Sequence, residues 1–229
     1  MDLLTDNIID ERYVLNLGFV KLQKIMGDER DIVAAARISV PNSKWTSSDE
    51  KLLKYLWDHK HTSPFEQVTM KFHVKAPLFV VAQWERHRTW SYNQISARYS
   101  EMQDEFYLPE LSKINKQSTD NKQGRAKETV EDSEKAQIII DDSNYESNCH
   151  YHELLDLGVS KELARIVLPQ ALYTEFIGTV NFWNLLHFLD LRADAHAQYE
   201  IRVYADAIIA MLRPLLPYTM GMIFNKGWK

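Results

Sequence analysis

Between residues 68 and 74, apolar Val68, Met70, Phe72 and Val74 alternate with Thr69, Lys71 and His73. A period of two predicts a half-buried strand. Ala171 to Val180 is rich in strand formers and predicts another. Elsewhere helical spacing prevails. Asp28 to Arg37 reads as a helix. A second helix starts at Ser47, where Ser47-x-x-Glu50 makes a capping box and Leu52, Leu53, Tyr55, Leu56 and Trp57 supply the apolar face. Pro77 suits the first position of a helix running to about Arg88. A long helix is predicted from Val130 to Leu157, with Gly158 placed to end it. Ser160 caps a short helix that Pro169 terminates. Asn181 to Leu191 and Ala195 to Leu215 complete the helices, with Pro214 and Pro217 ending the last. The order has no regular βαβ rhythm, so the predicted class is α+β.

One stretch has no such periodicity. From Ser112 to Ser133 there is no large apolar residue between Ile114 and Val130, only polar and turn-forming positions. This reads either as a solvated, mobile loop or as a lid over a ligand.

Composition removes several classes. The chain has 229 residues, enough for a substantial core, and no internal repeat. Its seven glycines form neither G-x-G-x-x-G nor a P-loop, so both common glycine cradles for phosphate are absent. A single cysteine, Cys149, excludes a disulfide framework, a cysteine-rich zinc site and a C-x-x-C redox pair. Cys149 falls in the predicted long helix, and a small helix residue is the favoured reading over a catalytic thiol. The net charge of -5 argues against a nucleic-acid coat protein but leaves room for a local basic site. The first residues show no signal-peptide pattern. The longest uncharged apolar-rich stretch, Phe176 to Leu189, is too short to span a bilayer. A soluble cytoplasmic protein, without membrane or nucleic-acid partner, is expected.

Two clusters carry candidate chemistry. Residues 83–100 hold Gln83, Arg86, His87, Arg88, Gln94, Ser96 and Arg98 among aromatics. On the predicted helix, Gln83, Arg86 and His87 share a face. Guanidinium groups fork onto phosphate oxygens, and aromatics with amides grip a flat base, so a nucleotide is the natural ligand. A solvated helix end with cations at its C-terminal dipole is the plainer alternative. The second cluster steps through Asn181, Asn184, His187, Asp190 and Arg192 to His196. Burying Asn181, Asn184 and His187 on a greasy helix requires partners for them. Satisfied core polar groups are a common explanation, and a histidine on an apolar face is more often that than a ligand. Metal binding is the weakest option: His59/His61 and His150/His152 lack a spaced carboxylate set and there is no H-E-x-x-H.

Arg86-His87-Arg88, followed after seven residues by Ser96, resembles the signature of the flavin-dependent thymidylate synthases. His61 to Glu66, Phe72 to Pro77, Ala164 to Pro169 and Leu191 to Gln198 are also similar to that family, in order along most of the chain. The resemblance implies a twisted, largely antiparallel sheet flanked by helices, in a single domain covering 1–229. It implies a homotetramer with active sites shared between subunits. The implied reaction methylates dUMP to dTMP, with methylenetetrahydrofolate as carbon donor and NADPH-reduced FAD as hydride source. On the same resemblance Ser63, Arg86, His87, Arg88, Gln94, Asn181 and His187 would line FAD, with His61 near the flavin and Ser39 a weaker candidate. Gln83, Arg86, Gln94, Ser96, Ala97, Arg98, Arg165 and Arg192 would hold dUMP, and no metal is implied.

Three positions depart from the family pattern: Gln94 where many members have Glu, Ala97 where Gly is frequent, and Trp183 where some place an arginine near the flavin. Gln117 to Gly124 resembles a segment found near the substrate in part of the family, which favours the lid for 112–133.

Methylating carbon 5 of uracil requires making that carbon nucleophilic. A thiolate adding to the neighbouring carbon is one route, and Cys149 has a poor setting for it. A guanidinium that stabilises the N3-deprotonated ring is the other, and the role falls to Arg192 as the catalytic residue. A nucleotide- or single-strand-binding protein without catalysis, and a flavoprotein of the same fold with other substrate chemistry, are the competing readings.

Overall fold

The alternating segment at 68–74 becomes the middle of a sheet. A computed structural model describes residues 9–38 and 47–224. Ser39 and the side chain of Ser47, with its capping box, lie outside the described residues. The strands are β1 (Asp10–Val14), β2 (Gly18–Met26), β3 (Thr69–Pro77), β4 (Ser91–Gln94), β5 (Asn115–Gln117), β6 (Arg125–Thr129) and β7 (Tyr173–Asn181). The helices are α1 (Glu29–Ala36), α2 (Ser47–Asp58), α3 (Leu78–Trp84), α4 (Ser133–Asp156), α5 (Lys161–Ala164), α6 (Phe182–Arg192), α7 (Tyr199–Leu212) and α8 (Pro217–Phe224). Five strands form one antiparallel sheet in the order β1-β2-β3-β7-β4.

The two strands expected from the pattern, β3 and β7, are its longest-paired neighbours, with Phe72 opposite Gly178 and Val74 opposite Phe176. Met70, Phe72, Val74, Phe176 and Val180 join Val20 and Leu22 of β2 on one face. Against it pack apolar residues of α1, α2, α3, α6, α7 and α8, among them Ile32, Leu53, Val80, Leu185, Ile208 and Ile223. The opposite face carries charge: His73 Nε2 meets Glu175 at 2.7 Å and Lys75 reaches Glu105. The α+β antiparallel architecture therefore stands. No helix among the described residues is long and apolar enough to cross a membrane.

Several boundaries differ from the sequence reading. Strands β1 and β2 were not expected; a bulge between Leu22 and Lys24 breaks the alternation that would have marked β2. Pro77 stays in β3 as the N-cap of α3, which stops at Trp84 instead of Arg88. Trp84 and Trp90 are both buried in one core, so the chain must double back between them. The Tyr92 hydroxyl donates to the carbonyls of Trp84 and His87, satisfying acceptors that a longer helix would have used. Gly158, at φ +82°, ends α4 as expected. Ser160 precedes α5 but makes no side-chain cap. Helix α7 begins at Tyr199 because Asp194 accepts the backbone N–H of His196, holding residues 194–197 in a turn. Beyond it Pro217 starts a further helix instead of closing the last one.

Residues 112–133 are also more ordered than a coil. A 3-10 turn at Leu111–Lys113 leads into β5 and β6, paired as an antiparallel hairpin. The polar residues that broke the apolar pattern build it. Gln117 Nε2 donates to the carbonyls of Lys122 and Gly124, and Asn115 Nδ2 donates to that of Lys127.

Candidate active site

Arg192 is the last residue of α6 and lies half-buried beneath the turn that follows α3. Its Nε donates to His87 Nε2 at 3.0 Å, and its Nη2 donates to the Gln83 carbonyl at 3.2 Å. Both partners are neutral acceptors, and among the described residues no carboxylate pairs with this guanidinium. Burial lowers its pKa, but a guanidinium remains protonated at neutral pH. The site therefore holds a partly desolvated cation with no described carboxylate paired to it.

His87 is fixed by the same core. Its N–H donates to the Trp84 carbonyl, and its ring meets Phe188 edge-on at 5.0 Å. Burial, then Arg192 and His187, push its pKa down from 6.5 to about 4. A neutral imidazole can accept at Nε2, as the bond from Arg192 requires. The unfolded chain binds this proton at pH 6.5 while the folded chain does not until about 4. Between those values stability is lost as pH falls. In the ligand-free protein the His87 Cε1–H resonance should titrate well below pH 6.5; a midpoint at or above that value contradicts the buried neutral ring.

The other predicted residues gather in separate places. Arg98 Nε meets the Glu162 carboxylate, and Arg165 Nε donates to the Glu162 carbonyl, both at 3.2 Å. These two exposed arginines thus share one neighbourhood, with Ser96 Oγ accepting the Arg98 backbone N–H. Ala97 lies between them in the chain and is half-buried. Gln94, at the end of β4, donates from Nε2 to the Thr174 hydroxyl. Arg86 and Arg88 are exposed in the turn after α3, no longer sharing a helical face with Gln83. Asn181 caps α6, its Oδ1 accepting the Asn184 N–H, which accounts for the three-residue step between them. His187 packs edge-on against Trp183 at 5.0 Å. Trp183 also contacts Trp57 and Phe65, so it fastens α6 to α2. Ser63 and His61 are exposed in the segment before β3. No hydrogen bond among the described residues joins Arg98 or Arg165 to the Arg192 group, nor Ser63 to either.

Four residues that motif reading did not single out for a role converge beside Gln83. Glu200 is 2% exposed and bonds to Tyr107, Arg125 and Gln198, and Gln198 bonds to Gln83. Arg125 is 75 positions from Glu200 in the chain, so no local spacing signals the pair.

Cys149 is exposed on α4 and hydrogen-bonded to Tyr145. Of its neighbouring histidines, His152 is engaged with Asp104. Cys149→Ala should leave turnover of the proposed substrate within about twofold of the parent; lost turnover with ligand binding retained would restore a thiol mechanism.

Residues 21–218 match the model of the thymidylate synthase complementing protein family. A flavin-dependent thymidylate synthase from Wolbachia pipientis wMel is 45% identical over 213 residues, covering 92% of this chain and 75% of that one. One from Thermosipho melanesiensis is 45% identical over 218 residues, 94% of both. Among solved structures, the UMP/dUMP methylase PolB from Streptomyces cacaoi, bound with 5-Br dUMP, superposes with a TM-score of 0.84 at 30% identity, covering 93% of this chain and 97% of that chain. Sequence and architecture agree over nearly the whole length, and the chain belongs to the flavin-dependent thymidylate synthase family of methyltransferase enzymes.

Proposed function

We propose that this protein converts dUMP to dTMP and that Arg192 activates the uracil without a protein nucleophile. The observation that carries the reading is the half-buried Arg192 guanidinium, bonded to neutral acceptors and to no described carboxylate. Such a cation favours an anion placed against it. Beside a uracil it stabilises the ring that has lost its N3 proton, and the released electron density reaches carbon 5. Neutral His87 supports this role, since it fixes Arg192 without adding positive charge to the site.

The phosphate of dUMP falls to Arg86, Arg98 and Arg165, with Ser96 and Ala97 beside them. Gln83 and Gln94 supply amides to the nucleoside. Arg98 and Arg165 already share a neighbourhood, and the Glu162 carboxylate that meets Arg98 is exposed and weakly held in water. The donor set also suits FAD. Arg86 and Arg88 are exposed cations with no described carboxylate partner, fit for a pyrophosphate. Ser63, His87, Gln94, Asn181 and His187 complete that set, with His61 nearby. Asn181 keeps its amide N–H groups available because only its oxygen caps α6. Trp183 fits less well, being packed into the α2–α6 contact where it offers a ring and no cation. When bound, FAD reduced by NADPH supplies the hydride and methylenetetrahydrofolate the one-carbon unit.

The separation of these groups within one protomer supports a homotetramer whose active sites combine residues of several subunits. The same reading assigns the protein to the cytoplasm, where its co-substrates are found, with no role for nucleic acid or membrane.

The test is a product assay. Purified protein supplied with FAD should oxidise NADPH in response to dUMP and transfer labelled methylene carbon into dTMP. Flavin reduction with no labelled dTMP would identify a flavoprotein of different substrate chemistry. A colourless protein that retards oligonucleotides would identify a binding module instead.

A further inference from the structure

The first turn of α7 holds a buried carboxylate that the proposed chemistry does not use. Glu200 is 2% exposed and accepts from four donor contacts. The Tyr107 hydroxyl approaches at 2.9 Å and Gln198 Nε2 at 2.9 Å. Arg125 Nη2 bridges both carboxylate oxygens, at 2.7 and 2.5 Å. Burial alone would raise this pKa, but the bonds and charge of Arg125 and the Gln198 amide outweigh it, so the group is an anion.

A carboxylate can only accept, and that dictates the orientation of its neighbours. Gln198 must turn its NH2 towards Glu200, which leaves its Oε1 facing away. That oxygen accepts from Gln83 Nε2. Gln83 must then present its own Oε1 on the other side, and no described residue donates to it. The Gln83 backbone carbonyl is meanwhile bonded to Arg192. The charge on Glu200 therefore determines, two amides away, whether the free end of the Gln83 amide is an acceptor or a donor, on the residue whose carbonyl Arg192 bonds. The same carboxylate fastens the β5–β6 hairpin, because Arg125 enters from β6 and also donates to the Lys113 carbonyl. Buried ion pairs are a poor source of stability but an effective way to specify one arrangement.

We propose that Glu200 is a positioning residue for the nucleotide pocket, holding Gln83 as a hydrogen-bond acceptor through Gln198 while Arg125 docks the hairpin over the same relay. The proposal rests on the reading of Gln83 and Arg192 as dUMP contacts. The ligand group it serves is a donor of the nucleoside, a sugar hydroxyl.

The experiment compares Glu200→Gln, Glu200→Asp and Gln198→Met in the FAD-loaded enzyme, measuring KM for dUMP, kcat and thermal midpoint. A glutamine at 200 can offer either an N–H or an oxygen, so the relay loses its fixed sense. Glu200→Gln should raise KM for dUMP about tenfold while kcat changes by less than about threefold. Glu200→Asp should recover most of that loss by restoring the anion. If Glu200→Gln fails to fold, Gln198→Met tests the relay while keeping both members of the Arg125–Glu200 pair, and it should raise KM similarly. A KM for dUMP within about twofold of the parent in Gln198→Met overturns the proposal, as does a Glu200→Asp no better than Glu200→Gln. So does a lowered melting temperature with unchanged KM, which is what a purely structural carboxylate would give. Should the parent itself make no dTMP, the functional reading fails; an active parent with insensitive variants defeats only the relay.

Discussion

Arg192→Ala is expected to fold, bind FAD and form dTMP at least about a hundredfold more slowly than the parent, the usual loss when a positioned charge-stabilising donor is removed. The side chain touches His87 and Gln83 by two hydrogen bonds of neutral acceptors, and neither partner becomes an unpaired buried charge when it is deleted. Its half-exposed position limits the packing loss. The fold should survive, and the deficit should appear in the chemical step. Arg192→Lys separates charge from shape. An ammonium keeps the charge but cannot bond His87 and Gln83 as a fork while facing a ligand, so it should recover only part of the rate. Single-turnover conversion of labelled dUMP, with flavin absorbance as the control for cofactor loading, measures both. A rate near that of the parent in Arg192→Ala would remove this residue from the mechanism.

The features that could be read from sequence are those set by neighbours in the chain. Alternation at 68–74 revealed β3, and Gly158 marked the end of α4, because period and left-handed backbone are local properties. The Arg86-His87-Arg88 motif was visible, but its geometry was not. A helix to Arg88 would have put Gln83, Arg86 and His87 on one face. The burial of Trp84 and Trp90 in a common core stops the helix instead, and Tyr92 closes the turn. The step from Asn181 to Asn184 resembled a polar stripe and turned out to be a helix cap with its recipient. What composition could not reveal is long-range complementarity. The polar stretch at 112–133 looks solvated because Arg125, which ties it to α7, is one cation among many until the buried Glu200 is brought to it. Ser96, Arg98 and Arg165 similarly converge only through Glu162 and the fold around it.

Trp84 is where the fold and the site depend on one side chain, and Trp84→Ala should destabilise the protein by about 3–5 kcal/mol, the usual range for removing a large buried aromatic. The indole is fully buried. It stacks on Phe188 at 4.6 Å and meets Trp90, Phe176 and Tyr204 edge-on at 5.3 to 5.8 Å. Those rings belong to α6, β7, α7 and the turn before β4, so no single element can shift to fill the void. The chain at 84–87 also positions His87, whose N–H bonds the Trp84 carbonyl and whose ring rests on Phe188. Loosening Phe188 should therefore weaken the His87–Arg192 bond as well as the core. For a chain of this length each kcal/mol lowers the melting temperature by roughly 2–4 °C, so the loss should be unmistakable in thermal denaturation. Trp84→Phe isolates the cause. Among the described residues Trp84 Nε1 is buried without an acceptor, and phenylalanine removes that unsatisfied donor while keeping most of the ring contact. It should cost far less than alanine and retain dTMP formation. Equal destabilisation by both would mean that the indole's full volume, rather than an aromatic ring at this position, holds α3 against α6.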